Sequence, residues 1–572
     1  MATRQARILA KETRRNSKKA FLERWEKLKM ERSTWIAHWR EISEYTLPRR
    51  IRLLTTGQKN RGEKMNQKII NSAPGRSLRI LAAGLMSGMS SPARPWFRLT
   101  TPYPELMDVD PVRQWLHHVE EGIRNVFARS NIYNILPLTY RDLGAWGTAV
   151  QCIEEDDIDV IRGYSYPVGS YALQNSHRLT VDTVYHETSM TVGQIADKFG
   201  LENASPSLVQ MWESNDHDAT INLLHVIEPN EKYDSTQLGP VGKKYRSVWL
   251  ERDSANEDGK PLGEGNGYRE FPAQCPRWDV HGEDIYGESP AMEALGDIKA
   301  LQQLEKRKLT ALDKITNPPM VAPPTLERKK KSQLAGDVTY NELTTGGQKF
   351  EPAYIVDSRA FQLREEIAEH VKRIDQSFYV DLFLMLANAA QAQPITAREV
   401  DERHEEKMLQ LGPVLERLHD ELLTPLIDRT FEIMLDKGMF PPPPPELEGM
   451  ELRVEFISIL AQAQKLLGTI AVERLVGFVG STVQVFPDAA DKVDIDKVID
   501  DYSKMLGTNP DLVRTGDALE QLRAQRAAQQ QMAAMAAMAK PASDAANAAA
   551  TMSQADVRQP GQLNGLMGAL QP

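Results

Sequence analysis

Two clusters of carboxylates are the groupings in this 572-residue chain whose type and spacing come closest to chemistry. One is Glu154, Glu155, Asp156, Asp157 and Asp159; the other is Asp491, Asp494, Asp496, Asp500 and Asp501. A two-metal nuclease needs carboxylates that converge on cations roughly 3.5–4 Å apart. Neither cluster forces convergence. The first reads as a hairpin turn and the second as a helix start, where the dipole favours acids. His186-Glu187 and His404-Glu405 lack the H-E-x-x-H spacing that sets two imidazoles on one helix face, and they read as surface pairs. GPVGKK (239–244) and TTGGQK (344–349) lack the G-x-x-x-x-G-K-[ST] spacing that cradles phosphates, which argues against an ATPase or helicase. There is no G-x-S-x-G elbow. The two cysteines, Cys152 and Cys275, have no zinc or disulfide-framework spacing and fit a reducing site of synthesis. The expectation is a protein that is not an enzyme and holds no metal or cofactor.

Charge narrows the partners. The net charge of −10 argues against a protein that wraps nucleic acid electrostatically, yet it suits one that lets a polyanion pass without sticking. The run ERKKK (327–331), with Arg328, Lys329, Lys330 and Lys331, is a basic cluster in a loop region. It reads either as a solvated tip or as a contact for DNA or an acidic partner. No apolar run approaches the ~20 residues that span a bilayer. The opening MATRQARILAKETRRNSKK is basic and lacks the apolar core of a secretory signal.

The elements that must position these groups read as α+β, predominantly helical. Phe21, Trp25, Leu28, Trp35, Trp39 and Ile42 have helical spacing and predict an amphipathic helix or helix pair up to about residue 46. A helix over Ser72–Met89 starts with Pro74 in its first turn. Its small residues, Ala82, Ala83, Gly84, Ser87 and Gly88, invite close backbone approach, and Trp96 and Phe97 anchor the extended segment that follows. Helices over about 110–129 and 134–147 come next. AVQCIEE, VDTVYHET, INLLHVIEP, YRSVWLER and YREFPAQC then predict strands, with MTVGQIADKFG a short helix among them.

Two long helices follow, over 289–316 and 358–386, the second with a single apolar stripe at spacings of three and four from Ala360 to Met385. The first carries a basic side, Lys299, Lys306, Arg307, Lys308 and Lys314, opposite its apolar one. Together they read as two struts with a small module, 317–357, at their far end. A polar loop at 387–395 leads to a helix over about 396–437. That helix opens on the capping box Thr396-x-x-Glu399 and is expected to kink at Gly412-Pro413 and Pro425. PPPPP (441–445) reads as a stiff spacer, ELRVEFIS (451–458) as a strand and 461–479 as a helix. Helical signals continue over 481–540, and 541–572 has the composition of a disordered tail.

Four stretches in fixed order carry a resemblance: LAAGLMSGMSSPARPWFRL (81–99), PRWDVHGEDIYGESPAMEALGDIKALQQLE (276–305), PITAREVDERHEEKMLQLGPVLERLHDELLTPLIDRTFEIM (394–434) and VEFISILAQAQK (454–465). Together the chain resembles the head-to-tail connector, or portal protein, of short-tailed bacteriophages. The resemblance implies a homo-oligomeric ring, usually of twelve subunits, at one capsid vertex of a virion made in a bacterial cytoplasm. Double-stranded DNA would be packaged and ejected through its channel. The terminase large subunit, then tail adaptor or head-tail joining proteins, would dock on it, with major capsid and scaffolding proteins around it.

It further implies a wing (1–288), stem helices (289–316 and 358–386), a clip (317–357) carrying ERKKK and a channel or tunnel loop (387–395). Next come the long kinked wing helix, strand and helix (396–480) and a crown (481–540). On that scheme Lys299, Lys306, Arg307 and Lys314 form the basic side of the stem. Gln391 and Gln393 on the loop would touch DNA without gripping it, and 81–99 serves packing rather than DNA contact. A metal-dependent nucleic-acid-processing enzyme built on 154–159 and a non-portal oligomeric helical adaptor stand as alternatives.

Overall fold

The computed structural model describes residues 17–50, 64–103, 106–107, 109–237, 239–253, 261–316, 320–321, 351–352, 362–388, 410–447, 452–458, 460, 476, 478–479, 497–498 and 522–532. The chain divides into two compact units, Met1–Gln464 and Lys465–Pro572. In the second, 522–532 is helical and exposed. The first is mixed α+β and mostly helical.

The N-terminal amphipathic stretch is a helix pair, α1 (Lys18–Glu31) and α2 (Ser33–Tyr45). Ser17 caps α1 by accepting from the Ala20 amide at 3.4 Å. The apolar face of α1, Phe21, Trp25 and Leu28, covers Tyr185, Leu224, Val226 and Leu250 of a five-stranded antiparallel sheet. That sheet runs in the order β4 (Tyr171–Asn175), β5 (Val181–Thr191), β6 (Thr220–Pro229), β7 (Tyr245–Glu251), β8 (Leu262–Tyr268). Across this seam Glu228 accepts from Arg24 at 2.5 Å and from Tyr185 Oη at 3.1 Å, and it also pairs with Arg246. The segment MTVGQIADKFG forms a helix (Val192–Phe199) whose N-terminus has a capping box between Thr191 and Gln194.

A three-stranded sheet, β3-β2-β9, joins Val160–Tyr166, Val150–Asp156 and Ala273–Gln274. The expected strand YREFPAQC is therefore largely loop: Tyr268 ends β8 opposite Tyr245, and Ala273 and Gln274 pair with Cys152 and Gln151. His186 is a second correction. It is 8% exposed on β5, its ring stacked on Tyr166 at 3.6 Å, because its strand position points into the layer between the sheets. Its neighbour Glu187 pairs with Arg252. His404-Glu405 lies outside the described residues.

The stretch that opens the resemblance forms α3 (Ala73–Met89). Leu78, Leu81 and Leu85 are fully buried. Its small residues are contact points: a Cβ on Gly84 would stand 2.1 Å from a ring carbon of Phe383, and one on Gly88 2.6 Å from Leu460. The following strand β1 (Phe97–Thr100) pairs antiparallel with β10 (Arg453–Phe456), Phe97 opposite Phe456 and Leu99 opposite Val454. Trp96 lies parallel to Phe127 and Phe456, ring centroids 6.0 and 6.4 Å away. The first and last of the four resembling stretches are thus one sheet with one aromatic core.

The strut helices differ from expectation in continuity. The first is a short turn, Pro290–Glu293, capped by Ser289, followed by α9 (Leu295–Thr316; α4–α8 being Asp110–Arg129, Ile132–Trp146, Val192–Phe199, Pro206–Glu213 and Pro290–Glu293). The second breaks into α10 (Leu363–Ser377) and α11 (Val380–Asn388) at Phe378 and Tyr379, where Tyr379 has φ +55°. The stripe survives the break, since Ile374, Phe378 and Leu382 are all fully buried. The break adds burial on other sides: Val380 and Phe383 are 4% and 5% exposed, the pattern of a helix enclosed over most of its surface.

Residues 410–418 are helical and run into a π turn, His419–Leu423, then α12 (Thr424–Asp436). The kink expected at Pro425 takes this form. Proline has no amide to give the Glu421 carbonyl, and the Thr424 amide reaches back to His419, widening the turn. Residues 396–409 lie outside the described residues.

Candidate nucleic-acid interface

The base of the strut pair is riveted to α3. On α9, Ile298 and Leu301 are fully buried. The Gln302 carboxamide oxygen accepts from the Ile70 and Asn71 amides at 2.7 and 2.8 Å, and its nitrogen donates to the Asn71 carbonyl at 2.9 Å. Asn71 in turn donates to Glu305 at 2.9 Å. On α10, Asp375 accepts from Arg76 at 2.9 Å and from Ser77 at 2.5 Å. The two struts are tied to each other by Asp297, 2.8 Å from His370 and 3.6 Å from Arg373.

Beyond Gln302 no residue of α9 is buried. Leu309, Leu312 and Ile315 are 53%, 42% and 42% exposed. At 3.6 residues per turn these three centre on one side of the helix, while Lys306, Arg307 and Lys314 centre on the other. The helix carries five basic residues and three acidic ones; of the acids, Asp297 is engaged with the second strut and Glu305 with Lys308 at 2.6 Å and with Asn71. Lys306 and Arg307 have no acidic partner among the described residues. Lys299 belongs to the base, since its ammonium donates to Glu41 at 2.5 Å and that bond raises its pKa.

The other residues singled out in the sequence divide clearly. Arg328, Lys329, Lys330, Lys331, Gln391 and Gln393 lie outside the described residues, as do all five aspartates of the second acidic cluster. The first cluster is the tip of the β2–β3 hairpin. Asp156 accepts from the Ile158 and Asp159 amides, both at 2.8 Å, and those bonds hold its pKa below the usual value. Glu154 pairs with Lys198 at 3.2 Å, Glu155 with Lys437 at 3.6 Å and Asp159 with Arg162 at 3.6 Å. Glu154, Glu155, Asp156 and Asp159 are thus each turned to a separate partner. Among the described residues no three His, Cys, Asp or Glu side chains converge to hold a metal. Cys152 and Cys275 are free, buried thiols whose pKa burial raises, to about 12 for Cys152. No described helix is long and apolar enough to cross a membrane.

One structural pair has no sequence signal. Arg277, 5% exposed in its side chain, donates to Glu421 at 2.5 Å, and its amide donates to the same carboxylate at 2.9 Å. The partners are 144 residues apart. They join the second and third resembling stretches at the π turn.

Comparison with known proteins agrees with this arrangement of stretches. Residues 18–513 match the family described as bacteriophage head to tail connecting protein. The "Portal protein" of Salmonella phage epsilon15 is 44% identical over 554 residues, covering 96% of this chain and 98% of the relative. The "Probable portal protein" of Bordetella phage BPP-1 is 42% identical over 523 residues, 91% and 93% of the two chains. A solved structure titled "Virion of native gene transfer agent (GTA) particle" shares 12% identity at a TM-score of 0.35, over 80% of this chain and 97% of that one, a likeness too loose to carry weight.

Proposed function

The chain belongs to the bacteriophage head to tail connecting proteins, the portal proteins of the phage capsid, and on that premise we propose how its parts serve a DNA channel. Members are structural, non-enzymatic components of an oligomeric ring at the head-tail junction of the virion. In this reading residues 1–288 are wing, and 289–316 with 358–386 are the stem. Residues 317–357 are the clip, 387–395 the channel loop and 481–540 the crown, in a ring of twelve.

The observation that carries the proposal is the two-sided outer part of α9. A helix in a ring around a polyanion needs one side for its neighbours and one for the lumen. Leu309, Leu312 and Ile315 supply an apolar side that the protomer leaves open. Lys306 and Arg307, with Lys314 a turn or two on, supply a basic side. Two or three cations per subunit give a weak sequence-independent attraction to phosphates, screened at physiological salt beyond about 8 Å. The overall acidic balance keeps that attraction from becoming a stop. Arg328 to Lys331 would extend the basic surface on the clip. Gln391 and Gln393 would supply uncharged contacts on the loop. The terminase large subunit and later tail adaptor proteins would dock at the clip end, with capsid and scaffolding proteins outside.

The test is charge reversal at positions that hold up no packing. Rings carrying Lys306→Glu and Arg307→Glu should assemble normally. They should package or retain less DNA, with the defect growing as salt is lowered, because repulsion is then less screened. Normal packaging at all salt concentrations would remove α9 from the lumen.

A further inference from the structure

The five prolines after α12 do more than space two elements. Trp115 Nε1 donates to the Pro441 carbonyl at 3.0 Å, and the Leu447 amide donates to the Pro444 carbonyl at 2.9 Å. Phe440 is stacked on Phe431 with ring centroids 5.2 Å apart, and Leu447 is buried. The run is therefore fixed at both ends. Between those ends Pro441, Pro442, Pro443 and Pro445 are exposed and Pro444 is half-buried. Each ring fixes φ near −65°, and each residue before a proline is driven to extended backbone, so Pro441–Pro444, each followed by a proline, form a polyproline II rod that ends where Pro445 opens a 3-10 turn, Pro445–Leu447. With three residues per turn, Pro441 and Pro444 share the edge that the protein holds, and Pro442 and Pro443 form the free edges. No hydrogen bond reaches the Pro442 or Pro443 carbonyl among the described residues.

We propose that Pro441–Pro444 is a docking ridge for another virion protein bearing an aromatic-lined groove with free N–H or O–H donors. A rod of this kind loses almost no conformational freedom on binding. It presents flat pyrrolidine faces for ring stacking and carbonyls that accept but no amides that donate. The chain itself shows half of that recognition in the Trp115 indole on Pro441. The exposed Glu446 at the end of the run has no ion pair among the described residues, so the matching groove carries a cation at its rim. A second copy of this chain is the poorer fit. The exposed aromatic rings among the described residues of its first unit, Tyr103, Tyr164 and Tyr233, are scattered over separate elements. The inference rests on membership of the virion but not on which face lines the channel.

The test uses the full chain in assembled virions. With the exposed Met439 replaced by p-benzoylphenylalanine, irradiation should link the chain to one other virion protein at a peptide containing Trp or Tyr. The yield should fall at least ten-fold when Pro442→Ala and Pro443→Ala are added. In a second arm, the peptide FPPPPPE added during assembly of chains carrying only the crosslinker should lower the same product in proportion to its concentration; this arm needs no proline variant. Links only between copies of this chain, no link to another protein, or a yield indifferent to both the alanines and the peptide would overturn the proposal.

Discussion

Replacing Gly84 by alanine pits two effects of known sign against each other. In a helix interior the change favours the helix by about 1 kcal/mol, because glycine gives up more backbone freedom than alanine. Packing opposes it. The new Cβ would stand 2.1 and 2.2 Å from Phe383 Cδ1 and Cγ and 2.8 Å from its Cβ. A ring flip does not clear contacts that include the root of the side chain; α11 itself has to shift by more than 1 Å from α3, and Phe383 is only 5% exposed. Overpacking of a filled core costs about 1–3 kcal/mol, and this geometry sits at the upper end. Gly84→Ala should therefore destabilise the protomer by about 1–2 kcal/mol net.

Gly296→Ala is the control, since a Cβ there meets nothing within 4 Å and φ is not positive; it should stabilise by up to about 1 kcal/mol. Urea unfolding followed by tryptophan fluorescence reads both, because Trp39, Trp96 and Trp146 lie in the same core as α3. Phe383→Ala alone costs about 3–5 kcal/mol and should cost at least 1 kcal/mol less beside Gly84→Ala. A Gly84→Ala protein as stable as the Gly296→Ala protein would refute the close approach of α11 to α3.

The remaining predictions concern other joints. Gly88→Leu, whose side chain would displace Leu460, should reduce folded protomer or ring yield in negative-stain images; normal rings with a defect only in DNA passage would assign α3 to the lumen instead. Glu421→Gln should cost about 3–5 kcal/mol in urea unfolding by leaving Arg277 buried without its charge partner, and Arg277→Lys should not restore full stability because one ammonium cannot replace the two-pronged bond. His419, stacked on Phe456, has its pKa lowered by burial from 6.5 to about 4. A His with a depressed folded pKa loses stability as pH falls through the unfolded value, because the unfolded chain takes the proton first. From pH 7.5 to pH 5 this costs about 2 kcal/mol, and His419→Phe should flatten that limb of the pH–stability curve. Leu309→Asp with Leu312→Asp should leave the protomer's unfolding midpoint unchanged within about 0.5 kcal/mol while shifting sedimentation from rings toward protomers.

Local pattern accounts for what was legible in the residues. Pro74, the small residues and the leucine spacing give α3 to within one residue at its start, since helix periodicity and start signals act within a turn or two. The short helix read in MTVGQIADKFG and the 154–159 hairpin are of the same kind. His186-Glu187 was misread because an alternating strand buries one of two neighbours, and which one depends on the layer it meets. The break at Tyr379 was invisible because the stripe from Ile374 through Leu382 stays in register across it. Beyond the break Phe383 lies against Gly84, nearly 300 residues earlier, a contact that no local pattern encodes.

The sequence by itself determined the α+β content, the helix faces, the family and the absence of known catalytic spacings, because each is written in contacts along the chain or in ordered motifs. Only the tertiary structure decided that 81–99 and 454–465 form one sheet, that Arg277 closes on Glu421, that Lys299 is spent on Glu41 while Lys306 and Arg307 stay open, and that the proline run is pinned rather than free. The physical reason is common to all four. A side chain's charge and shape are fixed by its residue type, but whether they are used up inside the protomer or left for a partner depends on which distant segment folds against them.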